Sequence, residues 1–189
     1  MNPARITLPI LSFVLLFAVV TVTFSKDIIK RPKRPTINST DGRFRISLPL
    51  GFKVPQPDSQ LINTDFGVSM FHAYIADTKK SGCMVGYYDY TPESLAGKDI
   101  AAVIDTTQMR IISNMGGKLT RKYKLVREGR QTRTSYFTTV SKGDTTSYWR
   151  FELVFDNPRV YQIGFTSTNS KLLEATETKN FFTSFKIVK

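Results

Sequence analysis

The sequence predicts an α+β domain, in which an antiparallel β-sheet is flanked by helices. Apolar and polar residues alternate with a period of two in several short segments, which is typical of strands. Short turn sequences join neighbouring segments, and this favours antiparallel pairing. One long segment between two groups of strands instead repeats apolar residues every three or four positions, as a helix does.

Three strands are predicted before that helix. Residues 44–49 alternate in polarity and then meet Gly51, so this strand ends in a turn. Residues 66–75 and 83–90 have the composition of two further strands. The polar run 77–82 joins them, which predicts a hairpin.

The predicted helix follows these strands. Thr91 can cap its start, Pro92 suits the first helical position, and the pair Gly116-Gly117 ends it. Its apolar side chains recur at three- and four-residue steps and define one buried face. They are Ile100, Val103, Ile104, Ile111 and Met115.

A meander of strands is predicted after the glycines. Residues 119–127 and 131–140 flank a turn at Glu128-Gly129, and residues 142–144 form the next turn. The strand that follows is the clearest in the chain, because its two faces separate completely. Trp149, Phe151, Leu153 and Phe155 lie on one face, and Tyr148, Arg150 and Glu152 lie on the other.

The C-terminal part continues the same pattern. Residues 156–158 form a turn, and residues 161–165 alternate again. A second helix is predicted from about residue 171 to 182, and residues 185–188 close the chain.

Composition excludes several function classes. The chain has 189 residues, which is enough for one domain of ordinary size, and a formal net charge of +12. A single cysteine excludes an intramolecular disulfide framework, and a single histidine excludes a His-rich metal site. The 41% hydrophobic content is that of a globular protein.

The N-terminal segment predicts membrane targeting. Residues 6–24 carry no charge, and as a helix they would extend ~28 Å, close to the apolar thickness of a bilayer. We interpret residues 1–25 as a signal peptide cut after Ser25 or as an N-terminal membrane anchor. Five basic residues follow this segment, and if the helix stayed uncleaved they would keep the domain on the cytoplasmic side. The domain that follows has the pattern of a compact extracytoplasmic domain, which favours export.

A basic, proline-containing linker is predicted over residues 26–40, and the α+β domain over residues 41–189. The linker contains the run Arg-Pro-Lys-Arg-Pro at 31–35, which proline extends and charge keeps solvated. It can act as a plain tether or lie on anionic lipid headgroups.

Two segments at the ends of the predicted domain resemble PsbP-like domains. They are FRISLPLGF at residues 44–52 and FFTSFKI at residues 181–187, and VYQIGF at 160–165 matches the position of the last long strand in such domains. The resemblance covers roughly residues 41–189. It implies the α/β/α sandwich that this superfamily shares with the Ran-binding Mog proteins, and an accessory or partner-binding role, often in exported or lumenal proteins. It implies no catalytic, metal-binding or cofactor-binding residue.

Candidate catalytic pairs fail on geometry. In the predicted hairpin His72 lies opposite Tyr87, so Cys83 lies ~13 Å further along the strand, outside hydrogen-bond reach. No Gly-x-Ser-x-Gly turn is present to expose a nucleophilic serine. Asp89, Glu93 and Asp99 match no metal-binding loop, and acidic residues near a helix start are commonly explained by its dipole. No catalytic residue, metal or cofactor is therefore predicted.

The strongest candidate for a binding site is a basic stretch in the meander. Alternation places Lys118, Lys122 and Lys124 on one strand face and Arg121, Tyr123 and Arg127 on the other. Such a surface suits an acidic protein, anionic lipid or polyanionic glycan, whereas lysines on an edge strand can simply prevent unwanted pairing. The seven basic residues are Lys118, Arg121, Lys122, Lys124, Arg127, Arg130 and Arg133.

These observations predict an exported or membrane-anchored, non-enzymatic accessory domain. Its expected partner is a protein or an anionic membrane surface, and no small-molecule ligand is predicted. Nucleic acid would be a partner only if the domain were cytoplasmic, with Tyr123 and Tyr136 as stacking residues. The alternative is a hydrolase or transferase whose site lies in an unrecognised cleft.

Overall fold

The structure is a computed structural model, and it describes residues 32–141 and 143–188. The predicted signal peptide or anchor and residues 26–31 of the predicted linker lie outside these residues, as does Lys142 of the predicted turn. Within the described residues, no helix has the length and apolar character needed to cross a membrane.

Ten strands and four helical segments follow one another along the described chain. The strands before the helices are β1 (Thr36–Ser39), β2 (Phe44–Ser47), β3 (Pro57–Thr64), β4 (Gly67–Asp77) and β5 (Ser81–Asp89). The next elements are α1 (Pro92–Leu95), α2 (Ile100–Asn114), β6 (Lys118–Arg127), β7 (Arg130–Val140), β8 (Thr146–Asp156) and β9 (Arg159–Ser167). A 3₁₀ helix (Ser170–Glu174), α3 (Thr176–Ser184) and β10 (Lys186–Ile187) complete the fold.

The strands form two sheets, and the predicted antiparallel arrangement is confirmed. The larger sheet has the order β3-β4-β5-β9-β8-β7-β6, so β3 and β6 are its edges and the β5–β9 pair joins its two meanders. The smaller sheet has the order β1-β2-β10. Every strand pair in both sheets is antiparallel.

Both faces of the larger sheet are covered by apolar side chains. On one face α2 packs through Val103 and Ile104 against the alternating side chains of β8 that include Phe151. The other face meets the smaller sheet and α3 together, with Phe44 at the centre of this second core. The separation predicted for β8 is confirmed, because Trp149, Phe151, Leu153 and Phe155 all belong to the α2 side.

The prediction of a single long helix after Thr91 is wrong in one respect, because two helices, α1 and α2, occupy this segment. Gly97 adopts a φ of 70°, which a helix does not allow, and α1 therefore ends after one turn. Asp99 caps α2 by accepting a hydrogen bond from the Ala101 N–H at 2.9 Å. The predicted stop at Gly116 is confirmed by its φ of 63°.

Several boundaries also differ from the predictions. The second helix is divided into the 3₁₀ helix and α3, and strand β3 has no counterpart in the prediction because its residues are mostly polar and exposed. The domain begins before Asp41, since β1 pairs with β2 and buries Ile37. Within the run predicted as a free linker, Arg34 forms a bidentate ion pair with Glu177 of α3, at 2.8 and 3.1 Å. Extended, proline-flanked sequence does not distinguish a tether from a short paired strand.

Candidate functional site

The predicted basic stretch forms the edge strand β6 and part of its neighbour β7. Nearly every residue of β6 is exposed, and in the described part of the chain β7 is its one strand partner. Exposed fractions of 47% for Tyr123, 54% for Leu125 and 74% for Val126 place large apolar side chains on this edge. The strand therefore exposes apolar as well as basic side chains.

The two faces of β6 separate as predicted, except at Lys118. Lys122 and Lys124 lie opposite Ser135 and Arg133 on the α2 side, whereas Arg121 lies opposite Tyr136 on the α3 side. A bulge between Leu119 and Arg121 shifts the register. Lys118 consequently lies opposite Thr138, on the same side as Arg121, and its predicted place beside Lys122 is wrong.

Three arginines on the α3 side are held by partners within the domain. Arg121 lies 3.3 Å from Glu174, and Arg130 lies 2.7 Å from Asp156. Arg127 donates hydrogen bonds of 3.0 to 3.2 Å to three backbone carbonyls, and its guanidinium also lies 3.7 Å from Glu152. Those carbonyls belong to Phe182, Thr183 and Phe185, at the C-terminal end of α3. These arginines attach β6 and β7 to the rest of the fold.

On the α2 side, two of the predicted cations share one carboxylate. Asp105 of α2 accepts hydrogen bonds from Arg133 and from Lys124. Burial acts to raise the pKa of Asp105, but the hydrogen bonds and the positive charges of Lys124 and Arg133 together hold this pKa below its usual value. Arg133 is only 4% exposed, so Asp105 supplies the counter-charge for a buried guanidinium.

Two of the seven predicted cations remain without an acidic partner. In the described part of the chain, no carboxylate lies within ion-pair distance of Lys118 or Lys122, and both side chains are exposed. Tyr136, predicted as a stacking residue, is buried beneath the Arg121 guanidinium, whose carbon lies 4.1 Å from the ring centre. It cannot stack on a base, whereas Tyr123 stays accessible.

The backbone of β6 also presents hydrogen-bonding groups at the sheet edge. Glu128 and Gly129 both have positive φ, as in a type I′ two-residue hairpin turn. The residues that flank such a turn form a hydrogen-bonded pair, and backbone groups then alternate in direction along the strand. Lys122, Lys124 and Val126 accordingly direct their N–H and C=O groups away from the sheet.

A second cluster of functional side chains surrounds His72. The predicted register is confirmed, because His72 lies opposite Tyr87 and stacks on it with 4.9 Å between ring centres. Cys83 lies opposite Ala76, four residues away along β5, and burial raises the pKa of its thiol to about 12. His72 Nδ1 instead lies 2.7 Å from Ser59 Oγ on the edge strand β3.

The other polar groups near His72 form ion pairs and hydrogen bonds with one another. Arg159 forms a bidentate ion pair with Asp89, at 2.6 and 2.7 Å, and donates to the Asp41 carbonyl at 2.7 Å. Its guanidinium carbon also lies 4.5 Å from the centre of the Tyr87 ring. These residues line an open cavity of about 370 Å³, in which the arginine has little capacity left for a ligand.

The remaining acidic candidates do not meet. Asp89 is paired with Arg159, Glu93 lies in the first turn of α1, and Asp99 caps α2. Within residues 32–141 and 143–188, no group of three His, Cys, Asp or Glu side chains is positioned to hold a metal ion.

An apolar cavity that the sequence did not predict lies beside the C-terminal half of α2. It has a volume of about 350 Å³ and includes Phe71, Met84, Ile111 and Met115 in its lining. Arg110 is the charged residue at its wall, and its Nε lies 3.2 Å from Asp65. The cavity thus offers mainly apolar contact. Its walls come from distant strands and a helix, so no local sequence pattern indicates it.

No protein-family model and no curated protein sequence matches the chain. Among solved structures, cyanobacterial PsbP (CyanoP) from Synechocystis sp. PCC 6803 is similar with a TM-score of 0.56. The match has 10% sequence identity and covers 80% of this chain and 91% of CyanoP. In its fold the chain resembles PsbP. At this identity the PsbP-like resemblance concerns the fold alone.

Two further solved structures match with lower scores. A Pseudomonas aeruginosa protein of unknown function has a TM-score of 0.41 at 10% identity, with 76% of this chain and 88% of that chain covered. A Bacteroides thetaiotaomicron protein has a TM-score of 0.47 at 9% identity, with 82% and 48% covered. The PsbP-like description rests on the first match.

We predict that Asp105→Asn destabilises the domain by about 1–2 kcal/mol at neutral pH, because it leaves buried Arg133 without its counter-charge. The folded-state pKa of Asp105 is depressed, so its stabilisation is present above the ordinary aspartate pKa of about 3.9 and is lost as the pH falls below it. Urea unfolding should show a difference between wild type and variant that shrinks at acid pH. Glu128→Gln, at an exposed ion pair, is the control, and an equal loss in both variants would contradict the assignment.

Proposed function

We propose that the protein is an exported or membrane-anchored, non-enzymatic accessory domain that binds an extended, acidic segment of a partner protein along β6. The observation that carries the proposal is the combination of outward-directed backbone groups with Lys122, Tyr123 and Leu125 on one exposed edge. An extended peptide added to a sheet edge gains backbone hydrogen bonds from such groups and specificity from the flanking side chains. The proposal also takes the domain as a variant α/β/α sandwich, in which the smaller sheet shares one outer layer with α3.

The charge of β6 supports an acidic partner rather than a second copy of the chain. Two antiparallel copies of β6 would bring the Lys122 and Lys124 side chains of both strands together, and like charges facing each other destabilise a sheet. Glutamate or aspartate at alternate positions of a partner strand would instead face these lysines. The same residues thus disfavour self-association and favour an acidic strand.

We expect Lys122→Glu to weaken binding of a fluorescent, extended peptide of alternating glutamate and threonine by about tenfold, because it places like charges opposite each other. Val126→Pro should weaken it about fivefold by removing one outward N–H, whereas Val126→Thr should not. Fluorescence anisotropy with the full chain measures both effects.

Lys171→Glu, an equal charge change at an exposed lysine of the 3₁₀ helix, is the matched control for this experiment. Unchanged binding in both Lys122→Glu and Val126→Pro would refute the β6 assignment. Equal binding of a peptide of alternating lysine and threonine would refute the acidic partner.

The alternative function, a hydrolase or transferase, would have to use the Ser59–His72 pair. The 2.7 Å contact is the observation that favours it. Against it, Ser59 is exposed on an edge strand, and no carboxylate orients His72 among the hydrogen bonds of the described residues. We expect a fluorophosphonate probe to label the full chain no more than it labels Ser59→Ala. Labelling that depends on both Ser59 and His72 would instead establish the enzyme.

The proposed location is tested by the protease accessibility of a C-terminal tag on intact cells and spheroplasts. We expect the tag to be accessible, because the proposed leader directs the domain across the membrane. The intact mass of the mature chain then distinguishes cleavage after Ser25 from a retained anchor. A tag protected in sealed spheroplasts would place the domain in the cytoplasm, as the basic residues after the apolar segment would predict.

A further inference from the structure

The outer face of the three-stranded sheet carries a row of polar and basic side chains. Asn38, Arg45 and Lys186 lie opposite one another across β1, β2 and β10. The alternate residues of these strands, such as Ile37 and Phe44, point into the core. Both basic side chains of the row are exposed.

Arg43 adds a third positive charge at the edge of this row. It follows Gly42 in the turn between β1 and β2 and has a φ of 51°, a conformation that bulky side chains rarely adopt. Together with Asn38, Arg45 and Val188 it lines a shallow depression of about 480 Å³.

No ion pair among residues 32–141 and 143–188 compensates the charge of this face. In the described residues, Arg43, Arg45 and Lys186 form no ion pair within 4 Å, unlike the arginines of β6 and β7. The acidic residue of the same turn, Asp41, lines the His72 cavity instead. A depression with two guanidinium groups and a side-chain amide is suited to phosphate oxygens.

The short chain segment between the apolar run and β1 favours lipid headgroups as the source of the phosphate. The apolar run ends at residue 24, and residues 25–35 can extend at most about 40 Å before β1 begins the three-stranded sheet. Lys33, in the described part of this segment, adds an exposed charge of the same sign. If the apolar run is held in a bilayer, this sheet is the part of the fold tied most closely to the lipid headgroups.

We propose that the outer face of the three-stranded sheet, through Arg43, Arg45 and Lys186, binds the phosphates of an anionic lipid surface. The inference rests on the membrane anchoring in the proposed function, but it uses a surface distinct from β6. It gives the anchored domain a defined side toward the membrane.

The test uses the full chain reconstituted into vesicles of phosphatidylcholine alone or mixed with phosphatidylglycerol. A fluorophore on Val188→Cys reports energy transfer to acceptors on lipid headgroups, and Val140→Cys on β7 is the comparison site. Cys83 is buried and stays unlabelled. We expect anionic lipid to raise transfer from position 188 more than from position 140, and added salt to reverse the increase.

The variant Arg43→Gln/Arg45→Gln/Lys186→Gln should abolish the lipid-charge dependence, since each removed charge weakens attraction to the surface about fivefold. Lys79→Gln/Lys80→Gln/Lys171→Gln removes the same charge from exposed lysines elsewhere and should preserve it. A response that survives in the first variant, or is lost in both, would overturn the proposal. Saturable binding of inorganic phosphate without any response to anionic lipid would assign the depression to free phosphate and overturn the lipid assignment.

Flotation after a carbonate wash tests membrane anchoring independently of lipid binding by the outer face of the three-stranded sheet. Chain retained on neutral vesicles supports the anchor, whereas chain lost from them refutes the anchoring part of the proposed function. In that case flotation with phosphatidylglycerol vesicles decides the inference. Association of wild type but not of the Arg43/Arg45/Lys186 variant supports it, and no association overturns it.

Discussion

Both faces of the central strands β5 and β9 need apolar cover, and the rest of the domain follows from this constraint. Tyr87 and Tyr161 face one side, and Tyr88 faces the other, all almost fully buried. One layer cannot cover both faces, so α2 packs on one and the smaller sheet with α3 on the other. Phe44 joins the two sheets, since the centre of its ring lies within 6.2 Å of the ring centres of Tyr74, Tyr87 and Tyr161.

The positive charges of β6 and β7 are divided between side chains paired within the domain and side chains left in solvent. Arginine has several donors in a rigid plane and can satisfy a carboxylate and several carbonyls at once, as Arg127 does at the end of α3. Lysine is more strongly hydrated and holds a single compact charge, and Lys122 remains in solvent. A cluster of basic residues in the sequence is therefore a poor measure of the charge that a partner would meet.

Local pattern predicted the strands whose two faces differ, such as β8, and the helix stop at Gly116, because one segment contains the whole signal. It did not predict β3, whose side chains are nearly all exposed, nor the bulge that moves Lys118 to the other face. Local pattern also could not predict the Arg121–Glu174 ion pair or the hydrogen bonds of Arg127 to the end of α3, because these partners lie more than fifty residues away in the sequence. The basic stretch lies on two strands as predicted, but which of its charges are exposed depends on tertiary contacts.

The paired arginines have a consequence for the exposed edge. An edge strand held only by its neighbour is free to twist or fray, and ordering it on binding would cost conformational entropy. Strand β6 is held from both faces, by Arg127 on the α3 side and by Lys124 through Asp105 on the α2 side. The outward backbone groups at Lys122 and Val126 are thereby fixed before a partner arrives, which lowers the entropy lost on strand addition. The ion pairs and hydrogen bonds of these two cations would thus contribute to the proposed affinity of the edge.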